Sequence, residues 1–380
     1  MRFETLLERH ERGDLSQAEA AEMLGISERT FRRWQVRLRD EGPAGLVDRR
    51  LGKPSPRRAS VHEIARMLDL YRGSYAEFTV KHFHEQLVKR HNYKLCYTVT
   101  KLSLQAAGLV AKAKRRSAHR KKRLRRPLPG MLLFQDGSTH RWIAALGRDL
   151  DLIVTLDDAT GAIYSAFLVE QEGTMSSLLG LAETIGRYGL FSAFYTDRGG
   201  HYFITPKGAG KVDKTQLTQV GRALSQLGIT HIPSYSPQAR GRMERVFGTL
   251  QKRLPQELRL AKIKTMAAAN RFLQERFVPD YNARFAVPAA EPGSAFVPYV
   301  GRPIEDVLCV QEDRVVGADN CVSFNRRNLQ IPPQRHRHHY VRATVRVHQY
   351  PDGRLAIFDG PRCLARFDPQ GRTDDVSQVA

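Results

Sequence analysis

The first 48 residues carry the spacing of apolar side chains that is typical of short amphipathic helices. Ser16 and Glu19 form a capping-box pattern, which predicts that a second helix covers residues 17–24. Residues 25–27 then supply a tight turn, and a third helix is expected over residues 28–40. A capped helix, a glycine-containing turn and another helix predict a helix-turn-helix unit in residues 1–48.

The third helix of this unit divides into an apolar stripe and a face of hydrogen-bond donors. Phe31, Trp34 and Leu38 recur at helical spacing and are expected to be buried. The donor face suits phosphates and base edges, and its candidate DNA-binding residues are Arg29, Thr30, Arg32 and Arg33. An ordinary helical hairpin is the alternative, because glycine is common at such turns.

Residues 49–60 contain prolines, a glycine and basic side chains without an apolar period, which predicts an extended linker. Arg49 and Arg50 are its candidate DNA contacts, although a solvated hinge is equally compatible with the pattern. Residues 61–110 return to helical spacing and predict a second helix-turn-helix-like domain, in which Lys101 is the candidate DNA contact.

A second basic linker is expected in residues 111–129. Ten of the sixteen residues in 111–126 are lysine or arginine, and Pro127 and Pro129 close the segment. So many like charges would repel one another without an anionic partner. The candidate DNA-binding residues here are Arg115, Arg116, Lys121 and Lys122.

From residue 130 the pattern changes to alternating strands and helices. Short apolar runs predict strands at residues 131–134, 152–156, 163–169, 191–196 and 229–232. Helical spacing predicts helices at 173–188, 214–227 and 240–254. This order of three strands, helix, strand, helix, strand and helix is that of an RNase H-like core, which we place in residues 130–290.

Acidic residues stand at three informative positions of this core. Asp136 follows the first strand in an Asp-Gly turn signal, Asp197 follows the fourth strand, and Glu244 lies near the start of the last helix. Ligand sites of open α/β sheets lie at the carboxyl ends of strands. Asp157 and Asp158 are rival acids, although Asp-Asp-Ala-Thr-Gly is also a typical turn.

The C-terminal part is expected to form a small β-barrel in residues 304–370. Short alternating runs predict strands at 322–325, 329–331, 340–350 and 355–358, with a hairpin turn at 351–353. Basic and aromatic side chains in 334–348 fit a non-specific DNA-binding surface or a solvated strand face. The predicted fold class is therefore multidomain: all-α units, an α/β core and a small barrel.

Charge is the compositional feature that adds most to this picture. The 380 residues include 61 Lys+Arg against 39 Asp+Glu, a formal net charge of +22, which indicates a polyanionic partner such as nucleic acid. Four cysteines without a Cys-x-x-Cys pair favour buried thiols in a reducing cytoplasm. The charged N-terminus and the absence of a long apolar run predict a cytoplasmic, nucleoid-associated protein without a membrane segment.

Three segments resemble the motifs of the DDE transposase and retroviral-integrase superfamily: FQDGSTH, FYTDRGG and SPQARGRMERVFGTLQKRL. With two helix-turn-helix units in front, the chain is most similar to ISNCY-type insertion-sequence transposases. The resemblance implies that Asp136, Asp197 and Glu244 are the catalytic residues and the ligands of two Mg²⁺ or Mn²⁺ ions. It also implies DNA contacts by Arg240, Arg242 and Arg245, although some of these could pair with carboxylates on the protein.

The implied function is that of a polynucleotidyl transferase. Such an enzyme binds double-stranded terminal inverted repeats, cleaves beside the transferred strand and joins the 3′-hydroxyl to target DNA. Because two ends must be joined, a homodimer or higher oligomer on DNA is expected. The alternatives are a non-catalytic DNA-binding regulator derived from a transposase, and an RNase H-like nuclease, which two helix-turn-helix units disfavour.

The chain departs from the family pattern in two places. Asp197 and Glu244 are 47 positions apart, longer than in many integrases, with the surplus in residues 201–214. Arg198 follows the second aspartate where integrases commonly have asparagine. His140 and His201 lie near the acids in sequence and could contact DNA or a scissile phosphate, although a structural or solvent-facing role is the favoured interpretation of each.

Overall fold

The computed structural model describes residues 2–52, 58–112, 123–206, 210–213, 215–235, 237–334 and 336–373, without the side chains of 237–240. The predicted DNA contacts Arg115, Arg116, Lys121 and Lys122 therefore lie outside the described residues, as does the side chain of Arg240. The chain divides into two compact units, Met1–Asp69 with Leu95–Ser103 and Leu70–Lys94 with Leu104–Ala380. The residues of the predicted second helix-turn-helix contribute to both units.

The N-terminal helices confirm the predicted local pattern. Helix α1 covers Phe3–Glu11, α2 covers Gln17–Met23 and α3 covers Glu28–Glu41. The Ser16 capping box is present, and the Ser27 side chain caps α3 by accepting from the Thr30 N–H. Phe31 is buried, and Trp34 and Leu38 pack against the same cluster.

Three further helices follow before the core. Helix α4 covers Val61–Ser74, α5 covers Val80–His91 and α6 covers Tyr97–Ala106. The left-handed Asn92 ends α5 and Thr79 caps its start, so both ends of this helix have the residues that helix termini require.

A five-stranded mixed sheet forms the centre of the second unit. Its strands are β1 Leu133–His140, β2 Leu150–Asp157, β3 Ile163–Val169, β4 Ala193–Thr196 and β5 Thr230–Pro233. The order is β3-β2-β1-β4-β5, with β1, β2 and β3 antiparallel and with β4 and β5 parallel to β1. This mixed sheet matches the integrase-like core that the element order predicts.

Helices cover the two faces of the sheet. Helix α7, Thr174–Tyr188, and α8, Gln219–Gln226, pack on the face that carries Leu133 and Phe194. Helix α9, Pro237–Leu250, packs on the face that carries Phe134 and Val154. Helix α8 starts later than predicted because Thr218 caps it, accepting from the Gly221 N–H.

The α9 face is completed by three short helices: α10 Leu254–Leu260, α11 Met266–Phe272 and α12 Val278–Phe285. A π-helical turn over Leu273–Phe277 joins α11 to α12. Asn270 and Asn282 of these helices each accept one hydrogen bond from the backbone of β3 and donate one to it through the side-chain amide. They therefore also cover this edge of the sheet.

The C-terminal part is not a closed barrel, and this part of the fold prediction is not confirmed. Six strands form it: β6 Val310–Val315, β7 Cys321–Phe324, β8 Arg327–Gln330, β9 Thr344–Gln349, β10 Leu355–Asp359 and β11 Arg362–Phe367. They make a four-stranded sheet, β11-β10-β9-β6, and a separate β7-β8 hairpin over one core. The sheets do not close because β7 and β8 pair with each other rather than with β6 or β11 among the described residues.

Two details of this part also differ from expectation. The strand predicted at 340–350 starts only at Thr344, so the histidines at 336, 338 and 339 precede it. Of the four cysteines, Cys96 is exposed, which corrects the expectation of buried thiols, while Cys309 is fully buried and all four are free. Within the described part of the chain, no helix is long and apolar enough to cross a membrane.

Candidate functional site

Asp136 lies on β1, and Asp197 directly follows β4, the parallel neighbour of β1. Leu133 and Phe134 of β1 pair with Phe194 and Tyr195 of β4, so Asp136 and Asp197 each lie two residues beyond the last paired residues of these strands. Both aspartates are half-buried, and both lie at the same end of the β1–β4 pair.

The Asp136 side chain lies on the α9 face of the sheet. Phe134 belongs to the cluster beneath α9, side chains of a strand alternate between faces, and Asp136 lies two residues after Phe134 on β1. Asp197 lies two residues after Tyr195, which packs against the same cluster, and just beyond the end of β4.

One local expectation about Asp136 is wrong. The Asp-Gly dipeptide was expected to end the strand in a turn, but β1 continues to His140 and Asp136 pairs with Val154 of β2. Gly137 has no positive φ and lies within the strand. Pairing with β2 over all eight residues of β1 outweighs the turn preference of the dipeptide.

The segment after Asp197 is ordered by its own backbone. The Gly199 N–H donates to Asp197 Oδ1 at 2.8 Å. The Arg198 guanidinium lies 5.1 Å from the Tyr235 ring centroid and donates to the Gly210 carbonyl at 2.8 Å. Arg198 therefore contacts both Gly210 and Tyr235, which precedes α9 in the chain.

A hydrogen-bonded cluster lies behind the aspartates, on the α7 face. The fully buried Tyr202 hydroxyl donates to Gln135 Oε1 at 2.9 Å and accepts from Ser177 Oγ at 3.1 Å. Burial and the negative charge of Glu172, followed by those of Asp136 and Asp197, raise the pKa of Tyr202 well above its usual value. Tyr202 is thus a neutral donor that fixes Gln135 next to Asp136.

Glu244 is exposed on α9, and the structure does not gather it with both aspartates. Among the residues the structure describes, no three His, Cys, Asp or Glu side chains are placed so that they could hold a metal ion. Met243 and Phe247, which lie on the same helix as Glu244, pack into the core between α9 and the sheet. Helix α9 therefore lies on the face of the sheet that carries Asp136.

The rival acids have structural roles, as the turn interpretation predicted. Asp157 accepts from the Thr160 N–H at 2.7 Å and from the Gly130 N–H at 3.1 Å. Asp158 is fully buried and binds the guanidinium groups of Arg123 and Arg242. These two carboxylates hold the turn and its neighbours together.

The predicted DNA-binding side chains fall into two groups. Arg29, Arg32 and Arg33 on α3 and Lys101 on α6 are exposed, and Thr30 is half-buried beside Ser27. The others have acidic or backbone partners on the protein: Arg49 with Glu41, Arg50 with Asp48, Arg242 with Asp158, and Arg245 with the Gly241 carbonyl. The first group is thus the better candidate for direct DNA contact.

Two residues near the aspartates were missed by sequence reasoning. Glu172 lies before α7 and contacts Gly137 and His201, and Tyr202 lies behind β1. The His140 ring lies 5.1 Å from the Trp142 ring and the His201 ring 4.0 Å from the Tyr202 ring, measured between centroids. The available signal for Glu172 was an acid beside a helix-starting glycine, which is common in proteins without catalytic function.

Comparison with known proteins identifies the family. A helix-turn-helix domain model matches residues 4–55. "Putative transposase y4bF" of Sinorhizobium fredii is 33% identical over 349 residues, which are 91% of this chain and 75% of that protein. "Transposase for insertion sequence IS1202" of Streptococcus pneumoniae is 34% identical over 163 residues, 43% of this chain and 34% of that protein.

Two solved structures match the chain at low similarity. The HTLV-2 integrase catalytic core domain in complex with magnesium is 18% identical, with a TM-score of 0.28, over 38% of this chain and 83% of that chain. A chain of the simian T-cell lymphotropic virus intasome in complex with PP2A regulatory subunit B56 gamma is 15% identical, with a TM-score of 0.33, over 72% of this chain and 89% of that chain.

A helix-turn-helix domain in front of an integrase-like core defines a DNA transposase of the DDE transposase and integrase superfamily. The chain belongs to the transposase family of the Sinorhizobium fredii relative.

Proposed function

We propose that the protein cleaves DNA at the ends of a mobile element and transfers the 3′-hydroxyl into target DNA. The observation that supports this most is the parallel pairing of β1 with β4, because Asp136 on β1 and Asp197 after β4 each lie two residues beyond the paired residues, and α9 with Glu244 packs on the same sheet. Half-buried carboxylates at one end of a sheet are donors of the kind that a hard divalent cation prefers, so a cation site is the function that we propose for them.

Divalent metal fits the donor set. Carboxylate oxygens suit Mg²⁺ or Mn²⁺, and Asp136, Asp197 and Glu244 would hold two ions. When bound, such ions stabilise the attacking and leaving oxygens of an in-line displacement at phosphorus. The chain itself orients the ligands: the Gly199 N–H fixes Asp197, and the Gln135–Tyr202 pair holds the strand beside Asp136.

Glu244 would join the site when DNA is bound. Catalytic contacts are often long in a structure without substrate and tighten in the complex.

DNA recognition falls to the N-terminal helices. The exposed arginines of α3 would contact the terminal inverted repeat, with Lys101 of α6 as a further contact. Two ends must be joined to one target, so the active assembly would be a dimer or larger oligomer on double-stranded DNA.

The test is metal-dependent nicking of a labelled repeat end by full-length protein. Asp136→Asn, Asp197→Asn and Glu244→Gln should each abolish nicking while repeat binding, followed by gel shift, is unchanged. Asp149→Asn removes an exposed carboxylate of the same domain and should leave nicking intact. Cleavage at the wild-type rate by all three site variants would refute the catalytic assignment.

A non-catalytic DNA-binding regulator is the second candidate. The observation that favours it is that the described residues do not gather three metal-binding side chains. Tight repeat binding by the wild-type protein, with no nicking in Mg²⁺ or Mn²⁺, would support this function instead.

A further inference from the structure

The Glu172 carboxylate lies against the segments that carry both aspartates. On one side it occupies the space next to Gly137: a Cβ on that residue would lie 2.2 Å from Glu172 Oε2. On the other side, Glu172 Oε1 lies 3.5 Å from His201 Nε2. Gly137 follows Asp136 directly, and His201 belongs to the turn that begins at Asp197.

Glu172 is held firmly from its own backbone. Its N–H donates to Asp151 Oδ2 at 2.7 Å, while Asp151 Oδ1 accepts from Thr139 Oγ1 at 2.6 Å. Thr139 and Asp151 are paired residues of β1 and β2. The backbone of Glu172 is therefore fixed to the sheet through Asp151 and Thr139, and Thr139 lies three residues after Asp136 on β1.

His201 extends the contact to Asp197. Its ring packs on Tyr202, with centroids 4.0 Å apart, and is about four-fifths buried. A Cβ on Gly199 would lie 3.1 Å from His201 Cε1 and 3.0 Å from Asp197 Oδ1. The His201 imidazole and the Asp197 carboxylate thus both lie next to Gly199. A shift of the imidazole would therefore displace the Asp197 carboxylate through this glycine.

These contacts lie behind the proposed metal site. Gln135 bonds Tyr202 on the α7 face and Gly137 lies two residues further along β1, whereas Asp136 between them faces α9, because neighbouring strand residues point to opposite sides. Glu172 therefore contacts β1 from the face opposite Asp136 and is not placed as its fellow ligand.

We propose that Glu172 is a positioning residue that, through Gly137 and His201, sets the separation of Asp136 and Asp197 for cation binding. The inference rests on the proposed function, because it assumes that the two aspartates hold a divalent cation. Groups that orient metal ligands from behind typically contribute 10- to 100-fold to metal affinity.

The test measures Mn²⁺ binding to the full-length protein by electron paramagnetic resonance of the free ion. Glu172→Gln should weaken Mn²⁺ binding by roughly 10- to 100-fold. Glu170→Gln is the matched control, because Glu170 is an exposed acid two residues away, paired with Arg148, and its loss should leave binding unchanged.

Two further variants separate positioning from general damage. His201→Asn should weaken Mn²⁺ binding as Glu172→Gln does, and the double variant should be no weaker than either single one, since both remove the same contact. Gly137→Ala keeps the carboxylate but displaces it and should have the same effect. Circular dichroism and the melting temperature verify that each variant is folded.

The outcomes distinguish this proposal from the proposed function. Glu172→Gln binding within twofold of wild type, while Asp136→Asn binding is lost, would overturn the positioning role and leave the metal site standing. Additive losses in the double variant would also overturn it. Wild-type Mn²⁺ binding that depends on Asp136 and Glu172, without any DNA nicking, would refute transposase catalysis but support the positioning role.

Discussion

Replacement of Asp158 by asparagine should destabilise the core and loosen α9. Asp158 is fully buried and binds the guanidinium groups of Arg123 and Arg242, and its second oxygen accepts from the Arg126 N–H at 2.7 Å. Through these contacts one carboxylate fastens both the end of the basic linker and the first half of α9 to the sheet.

The magnitude follows from the burial of each partner. The Arg242 side chain is only 13% exposed, whereas that of Arg123 is 46% exposed. Breaking a buried ion pair by removing one partner costs about 3–5 kcal/mol, while a solvent-exposed pair contributes about 1 kcal/mol or less. Asparagine keeps one acceptor oxygen, so we expect a loss of about 3 kcal/mol in the free energy of unfolding of the core.

Urea unfolding followed by tryptophan fluorescence can measure this loss. The chain has two tryptophans, and Trp142 is fully buried in the core whereas Trp34 belongs to the N-terminal helices. In a Trp34→Phe background, fluorescence therefore reports the core alone. Asp149→Asn is the control, because Asp149 is 56% exposed and its pair with Arg141 spans 3.7 Å.

The expected result is a lower urea midpoint for Asp158→Asn and an unchanged one for Asp149→Asn. A loss below about 1 kcal/mol for Asp158→Asn would refute the reasoning, since it would mean that Arg242 finds another partner or water at little cost.

Two further predictions concern packing and thiol chemistry. Gly180→Ala should lower the melting temperature, because the added Cβ would lie 2.3 Å from Gln135 Nε2 and overpacking costs about 1–3 kcal/mol. Gly186→Ala on the same helix is the control. Its added Cβ meets nothing within 4 Å, so this variant should raise the melting temperature. Equal effects of the two variants would contradict the packing of α7. Burial raises the pKa of the Cys309 thiol to about 11, so a thiol reagent should label exposed Cys96 first and Cys309 last up to pH 9; early labelling of Cys309, found by peptide mass spectrometry, would contradict its burial.

The elements that sequence predicts well are those with strong local signals. The Ser16 capping box and the Phe31, Trp34 and Leu38 stripe fix the N-terminal helices within a few residues, since caps and apolar spacing act over a single turn. The sheet order also follows from the sequence of strands and helices. The extent of β1 does not, because its pairing with β2 is long-range.

In the C-terminal part, too, strand pairing between residues far apart in the chain could not be predicted from the sequence. Strand β6, Val310–Val315, is polar enough to escape the alternating pattern, and its partner β9 lies about thirty residues later. Barrel closure depends on which strand edges meet, and short alternating runs carry no information about that. The hairpin turn at Gly353, by contrast, is local and is confirmed by its bond to the Tyr350 carbonyl.

The three proposed ligands are positioned by different elements, the aspartates by strands and Glu244 by a helix. The strand positions can be predicted from the sequence, but the position of the helix cannot. Asp136 and Asp197 lie at the same end of the neighbouring strands β1 and β4, so their proposed proximity rests on the order of the sheet. Glu244 is positioned by α9, whose first half is held to buried Asp158 through Arg242. No local sequence pattern predicts this contact. The approach of Glu244 to the aspartates should therefore depend on α9 moving about that contact, and Asp158→Asn should change DNA nicking more than it changes Mn²⁺ binding by the two aspartates.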